Sequence, residues 1–200
     1  AQSRLDALAR FRRAVDAIAD RVDDPLLREA PFEDLARAVR EHALPTAPLA
    51  DLLSAFAQDV TVDRYADYAA LRDYCRRSAD PVGRLLLALY RRASPANLEA
   101  SDAICTGLQL ANFWQDVAID YAKGRVYLPQ DELARHGVTE RQIAESRCDA
   151  AWRALMRFQT ARARALLVSG RPLASRLPWR IGLELRAVVA GGLAILDRID

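Results

Sequence analysis

The sequence predicts an all-α fold, and three observations predict it. Apolar residues recur at the three- and four-residue spacing of a helix over most of the chain, while no stretch alternates with the period of two expected of a half-buried strand. Alanine, leucine and arginine, all strong helix formers, dominate the composition. The 200 residues hold only 8 glycines and 9 prolines against 52% apolar side chains. A chain of this length buries roughly 70% of its unfolded surface, so a sizeable core is within reach and residues 1–200 read as one domain.

Periodicity places helices at about 3–22, 31–43, 48–59, 63–79, 81–92, 95–121, 130–135, 140–169 and 178–199. Asp80-Pro81 interrupts what would otherwise be one run through 63–92, because a proline inside a helix loses a hydrogen bond and clashes with the preceding turn. Val82-Gly83 beyond it would let another backbone or a ligand come close. Ser94-Pro95 supplies a cap and a first helical position for 95–121. Pro129 precedes the short helix 130–135, Gly137 ends it, and Thr139 with Gln142 forms a capping box for 140–169. Pro172 separates that helix from the last one. Short connections throughout suggest a compact bundle.

The balance of 29 basic against 27 acidic side chains leaves a net charge of +2 with no single-sign field, which argues against nucleic acid as a partner. Three cysteines, Cys75, Cys105 and Cys148, are far apart and each lies in a helical pattern. They read as reduced thiols of a cytoplasmic protein. The longest apolar runs fall well short of the ~20 residues that span a bilayer, and no signal peptide opens the chain. Peripheral contact with the inner face of a membrane is compatible with this sequence.

The chemistry concentrates between Gln109 and Pro129, QLANFWQDVAIDYAKGRVYLP. At about 100° per residue, Asn112, Asp116 and Asp120 lie at successive offsets of roughly 40°, with Gln109 in the same sector. Two acids one turn apart repel, and a cation relieves the repulsion. Magnesium takes oxygen ligands from one or two carboxylates and bridges them to phosphates. Lys123, Arg125 and Tyr127 follow, where charge-assisted hydrogen bonds to diphosphate oxygens are within reach. The competing reading is plain: solvated carboxylates, with Lys123 and Arg125 complementing a helix C-terminus. The amides Gln109 and Asn112, flanked by Leu110, Phe113 and Trp114, add some weight to a polar stripe entering an apolar interior, and on spacing alone both readings stay open.

These residues resemble the squalene/phytoene synthase family. That family carries an Asp-x-x-x-Asp helix with an upstream Asn and Gln, then a Gly-Arg-x-Tyr-x-Pro segment, here Gly124-Arg125-Val126-Tyr127-Leu128-Pro129. Upstream, DRYADYAALRDYCRRSADPVG is similar to its other signature, through Arg64-Tyr65, Tyr74-Cys75 and Val82-Gly83. The resemblance covers nearly the whole chain. It implies a helical cage around a central apolar cavity, with Asp116 and Asp120 at its polar mouth, and an isoprenoid diphosphate as substrate. Asp116, Asp120 and Asn112 would bind Mg2+, and Gln109 would support diphosphate or metal. Arg125 would assist the leaving group, with Lys123, Tyr127, Val82 and Gly83 near the substrate, and the ring of Tyr74 would face a carbocation while its hydroxyl orients diphosphate or water. Gln115 before the first Asp, where phytoene and squalene synthases more often have Arg, makes the chain most like the branch that forms hydroxysqualene from presqualene diphosphate in hopanoid synthesis. Head-to-head prenyl transfer to presqualene diphosphate, squalene or phytoene is the alternative, and a non-catalytic scaffold the other.

The family's first aspartate-rich motif has no match. Asp16, Asp20, Asp23 and Asp24 lack its surroundings and read as an exposed helix face, and the last helices of the family also look incomplete, so a fragment that turns over poorly alone is expected. His42 and His136 read as surface or capping residues, Trp114, Trp152, Met156 and Phe158 as core or interface, and Tyr65 as either packing or site.

Overall fold

A computed structural model describes residues 2–200 and shows a helical bundle. Among the described residues there is no strand, only an isolated parallel bridge between Arg64 and Val126. Twelve α-helices follow in order: α1 Gln2–Asp20, α2 Phe32–His42, α3 Ala47–Gln58, α4 Tyr68–Ser78, α5 Asp80–Leu89, α6 Pro95–Gln115, α7 Val117–Ala122, α8 Gln130–Arg135, α9 Glu140–Ala144, α10 Ala150–Gly170, α11 Leu173–Arg176 and α12 Trp179–Ile199. A short 3-10 turn at Pro25–Arg28, capped by Asp24, precedes α2.

The centre is the pair α6 and α10, each 21 residues and hence about 31 Å long. They approach closely because Gly170 leaves room: a Cβ there would lie 2.6 Å from the carbonyl oxygen of Ala100. Around them, Leu71, Leu110, Leu128, Leu155, Leu167 and Leu196 are almost wholly buried and belong to one continuous core. Two smaller clusters, around Phe32 and around Ala36 and Val39, fasten α1 to α2.

The expected break at Asp80-Pro81 is present, with Ala79 at φ −116°, ψ −52° between α4 and α5. Gly137 ends α8 with φ +67°, and Thr139 with Gln142 forms the capping box of α9. Three boundaries differ from the sequence expectation. The helix expected from residue 63 starts only at Tyr68, capped by Asp67 accepting from the Ala70 amide at 2.8 Å. Residues 63–66 instead pair with the chain after α7, through Val126 N to Asp63 O, Gln130 N to Tyr65 O and Asp131 N to Ala66 O. Those tertiary hydrogen bonds override local helix propensity.

The helix expected over 95–121 divides at Asp116, whose φ −97°, ψ 13° leaves the helical region, in keeping with the weak helix preference of Asp. The helix expected over 140–169 is two, because Ser146 turns to φ +51° and Asp149 caps α10 by accepting from Trp152 N at 3.0 Å. Cys148 therefore lies in a loop, exposed, rather than in a helix, while Cys75 is buried in α4. All three thiols are free. Among the described residues no helix is long and apolar enough to cross a membrane.

Candidate active site

The break at Asp116 does not scatter the polar stripe. Asp116 N still donates to Asn112 O at 2.9 Å and Asp120 N to Asp116 O at 2.8 Å, so the turn-by-turn register carries across the joint. The Asn112 amide, on the exposed side of α6, donates to Asp116 Oδ2 at 2.8 Å, which leaves its carbonyl oxygen and Asp116 Oδ1 without a side-chain hydrogen bond. Asp120 is half-buried with a side chain 17% exposed, and Lys123 Nζ, 3.6 Å from its Oδ1, is the near cation. Gln109 sits half-buried one turn before Asn112. The stripe thus offers two carboxylates and an amide carbonyl, hard oxygen donors of the number magnesium takes from protein when a diphosphate supplies further oxygens. Among the described residues no group of three or more His, Cys, Asp or Glu side chains could hold a metal ion.

Beside the stripe stands a wall of rings. Phe113 stacks on Tyr127 at 3.8 Å between centroids, with planes 7° apart. Tyr65 lies 5.8 Å from Tyr127 and 5.4 Å from Tyr74, and Tyr74 lies 6.2 Å from Tyr127. Tyr65 and Tyr74 are only 3% and 4% exposed, so neither is a surface residue and both face the same interior as the stripe's apolar neighbours. Burial pushes the hydroxyls of Tyr65, Tyr74 and Tyr127 above the ordinary tyrosine range, and for Tyr74 the neighbouring Asp59 carboxylate adds to the effect. These phenols stay neutral.

Arg125 turns toward this wall rather than toward Asp120. It donates to the Asp59 carbonyl at 2.8 Å and to the Tyr127 hydroxyl at 3.3 Å. Burial works against its charge, but Tyr127 and Asp59 more than offset that and hold it protonated. Its turn is anchored by Arg64, which donates to Gly124 O at 2.6 Å and makes a bidentate pair with Glu140 at 2.6 and 2.9 Å. Gly124 takes φ +81°, which a non-glycine residue adopts only with strain.

Not every residue read from the sequence joins this group. Val82 is 49% exposed on α5. The close approach foreseen at Gly83 is made by α6: a Cβ there would collide with Ser101 Oγ and stand 2.8 Å from Cys105 Sγ. Ser101 lies eleven residues, about 16 Å, before Asn112 along α6. Phe158 is 39% exposed and lies under Arg162, with His136 beside it, so it is not core. Trp114 and Met156 are buried, as expected.

The residue that sequence reasoning missed is Asp59, just past the end of α3. Its Oδ2 accepts from the Tyr74 hydroxyl at 3.1 Å, and its Oδ1 is buried without a partner. One signal was there: a carboxylate at a helix C-terminus opposes the helix dipole and calls for a reason.

Comparison with known proteins identifies the family of the chain. A family model described as squalene/phytoene synthase matches residues 1–200. The chain is 39% identical to a hydroxysqualene synthase of Rhodopseudomonas palustris over 158 residues, 78% of this chain and 54% of that protein. It is 33% identical to a hydroxysqualene synthase of Sinorhizobium fredii across 96% of this chain and 71% of the relative. A phytoene synthase of Mycobacterium tuberculosis is 32% identical over 81% of the chain and 53% of its own length. The chain therefore spans about half the length of the first of these relatives. Among solved structures, squalene synthase HpnC from Alicyclobacillus acidocaldarius superposes with a TM-score of 0.85 at 36% identity, over 98% of this chain and 72% of that one.

Proposed function

Because the chain belongs to the squalene/phytoene synthase family, we propose that its stripe and ring wall form part of a magnesium-dependent site that converts presqualene diphosphate to hydroxysqualene with loss of diphosphate. The observation that carries the reading is that Asp120, at the inner end of the stripe, acts on the Tyr127 hydroxyl, and Tyr127 in turn packs with Phe113 and Tyr74, so an anion-handling edge meets a water-poor, aromatic interior. Two relatives named hydroxysqualene synthase, at 39% and 33% identity, support the choice of product.

Asp116, Asp120 and the Asn112 carbonyl would hold magnesium, which when bound neutralises the charge that builds on the departing diphosphate. Lys123 would supply a donor to the same oxygens, Arg125 could offer them only the N–H groups left beyond its bonds to Asp59 and Tyr127, and Gln109 extends the polar edge. Ring faces of Tyr74 and Phe113 not taken up by stacking on their neighbours would attract the cation left behind through their quadrupoles. The buried Leu and Ala side chains around them keep bulk water from quenching it early.

The test gives presqualene diphosphate and magnesium, without nicotinamide, to the full-length protein and its Asp116→Ala variant, and identifies products by mass spectrometry. Hydroxysqualene from the parent alone is expected. The phytoene synthase relative at 32% identity favours a second reading, head-to-head prenyl transfer. Phytoene or presqualene diphosphate formed from geranylgeranyl or farnesyl diphosphate, with presqualene diphosphate itself untouched, would replace the first reading by that one.

A further inference from the structure

We propose that Asp59 is a further catalytic residue of this site: its unpartnered oxygen takes the proton released when water captures the cation. The inference rests on the reading above and deepens it. Capture of a carbocation by water yields an alcohol only after a proton leaves, and neither the ring wall nor Arg125 accepts one. The phenols are neutral donors, and the guanidinium is already protonated.

Asp59 fits the role on geometry. It stands where three features meet. Its Oδ2 is fixed by the Tyr74 hydroxyl at 3.1 Å, and its carbonyl oxygen by Arg125 at 2.8 Å. Its charge is felt by Tyr65, Tyr74, Tyr127 and Arg125, which places the carboxylate among all four. Oδ1 remains, buried and with no hydrogen-bond donor. Native structures leave few such atoms, and a carboxylate oxygen is a costly one to leave, so its retention points to a transient partner. Ser78 Oγ and Trp114 Nε1 are also buried without partners, but they are neutral and neither is basic. Asp59 is also poorly placed for stability alone, since it sits past the C-terminus of α3 where the helix dipole is negative. A carboxylate only accepts, so the Tyr74 hydroxyl spends its one proton on Asp59 and has only lone pairs left to offer. Tyr74 is then a ring and an acceptor in this site, not a donor to diphosphate.

The step balances. The carbon–oxygen bond to diphosphate breaks with its electron pair on the leaving group. A water oxygen forms the new bond to carbon, one of its O–H bonds breaks with the pair retained on oxygen, and the proton moves to Asp59 Oδ1. The neutral acid then returns its proton to solvent.

The experiment compares the full-length parent with Asp59→Asn, which keeps shape and removes basicity, and with Tyr74→Phe, which frees Oδ2 while leaving the carboxylate. All receive presqualene diphosphate and magnesium, with diphosphate release and alcohol formation measured separately and folding checked by circular dichroism. In Asp59→Asn, alcohol formation is expected to fall at least about tenfold further than diphosphate release, with hydrocarbon products making up the difference, an effect in the range of a lost general base. Tyr74→Phe loosens Asp59 but leaves it basic, so its alcohol share should fall less than that of Asp59→Asn. If Asp59→Asn keeps the parent's ratio of alcohol to diphosphate, or loses both together, Asp59 is not the acceptor although the functional reading stands. If the parent itself forms no alcohol, both fall.

Discussion

Two groups of carboxylates in this chain are built in opposite ways. Asp80 and Glu132 lie in the core, 0% and 3% exposed, and their oxygens are fully engaged: Thr106 and Arg72 bond Asp80 at 2.7 and 3.0 Å, while Gln159 and Arg162 bond Glu132. Arg162 is itself pressed over the Tyr68 ring at 3.7 Å. Asp116 and Asp120 are half-buried, and each has a single near side-chain partner. A buried charge without its partners costs several kcal/mol, so the first pair is bound into the fold by necessity. The second pair keeps oxygen capacity in reserve. The difference separates acids tied into the fold from acids with oxygen capacity to spare, and it is sharper than sequence spacing alone suggests.

The largest expected effect tests the open pair. Asp116→Ala should lower the rate of diphosphate release by about a thousandfold, the scale of a lost electrostatic stabiliser, with the midpoint of thermal unfolding within about 2 °C of the parent. Kinetics and calorimetry on the same preparation read both, and a collapse of stability would place Asp116 with the structural acids.

Next comes the closed pair. Glu132→Ala strands Arg162, which is 20% exposed, and should cost about 3–5 kcal/mol, a fall of roughly 10 °C in midpoint for a chain of this size. Thermal denaturation decides it. A shift under about 2 °C would show that Arg162 escapes to solvent.

A smaller effect distinguishes the two buried acids by pH. Burial raises the Asp80 carboxyl above its ordinary value of 3.8, outweighing Thr106 and Arg72. The native state therefore binds the proton more tightly than the unfolded chain, and the stability Asp80 contributes is fullest below the unfolded value and declines as pH rises through the native one. The deficit of Asp80→Asn relative to the parent should be widest below pH 3.8 and shrink as pH rises above it, as read from denaturation midpoints across that range. A constant gap would mean that Arg72 fully compensates the burial.

The smallest effect belongs to Lys123, whose side chain is 64% exposed. Lys123→Ala should change stability by less than about 0.5 kcal/mol and weaken diphosphate binding only modestly, both more visibly at low salt. Titration calorimetry with inorganic diphosphate and magnesium is the check.

How much of this was legible in the sequence follows from how the contacts are made. The stripe Gln109–Asp120 could be read because its residues share one helix, and helix geometry converts spacing into a face. The break at Asp80-Pro81 and the capping box at Thr139 were legible for the same reason, being local. What escaped depends on distant partners: residues 63–66 abandon helix to pair with 126–131, and Asp59 acquires meaning only from Tyr74 and Arg125, 15 and 66 positions away. Glu132 and Arg162, 30 positions apart, give no pattern at all until folded. Gly83 was noticed for a real close approach, but only the structure shows that α6 fills the space.

The clasp between Arg64 and Gly124 closes a loop of 60 positions that contains α4, α5, α6 and α7. Closing a loop of that size costs chain entropy, and here a few main-chain hydrogen bonds and one arginine hold it shut. The two sides it joins carry Asp59 and Tyr65 on one strand of the loop, Arg125 and Tyr127 on the other. A molecule gripped by both would behave as a temporary cross-link, stabilising the native form by mass action and slowing the chain's escape from it. Occupancy would then be readable as lifetime: the protein with its site filled should resist a protease longer than the same protein with its site empty.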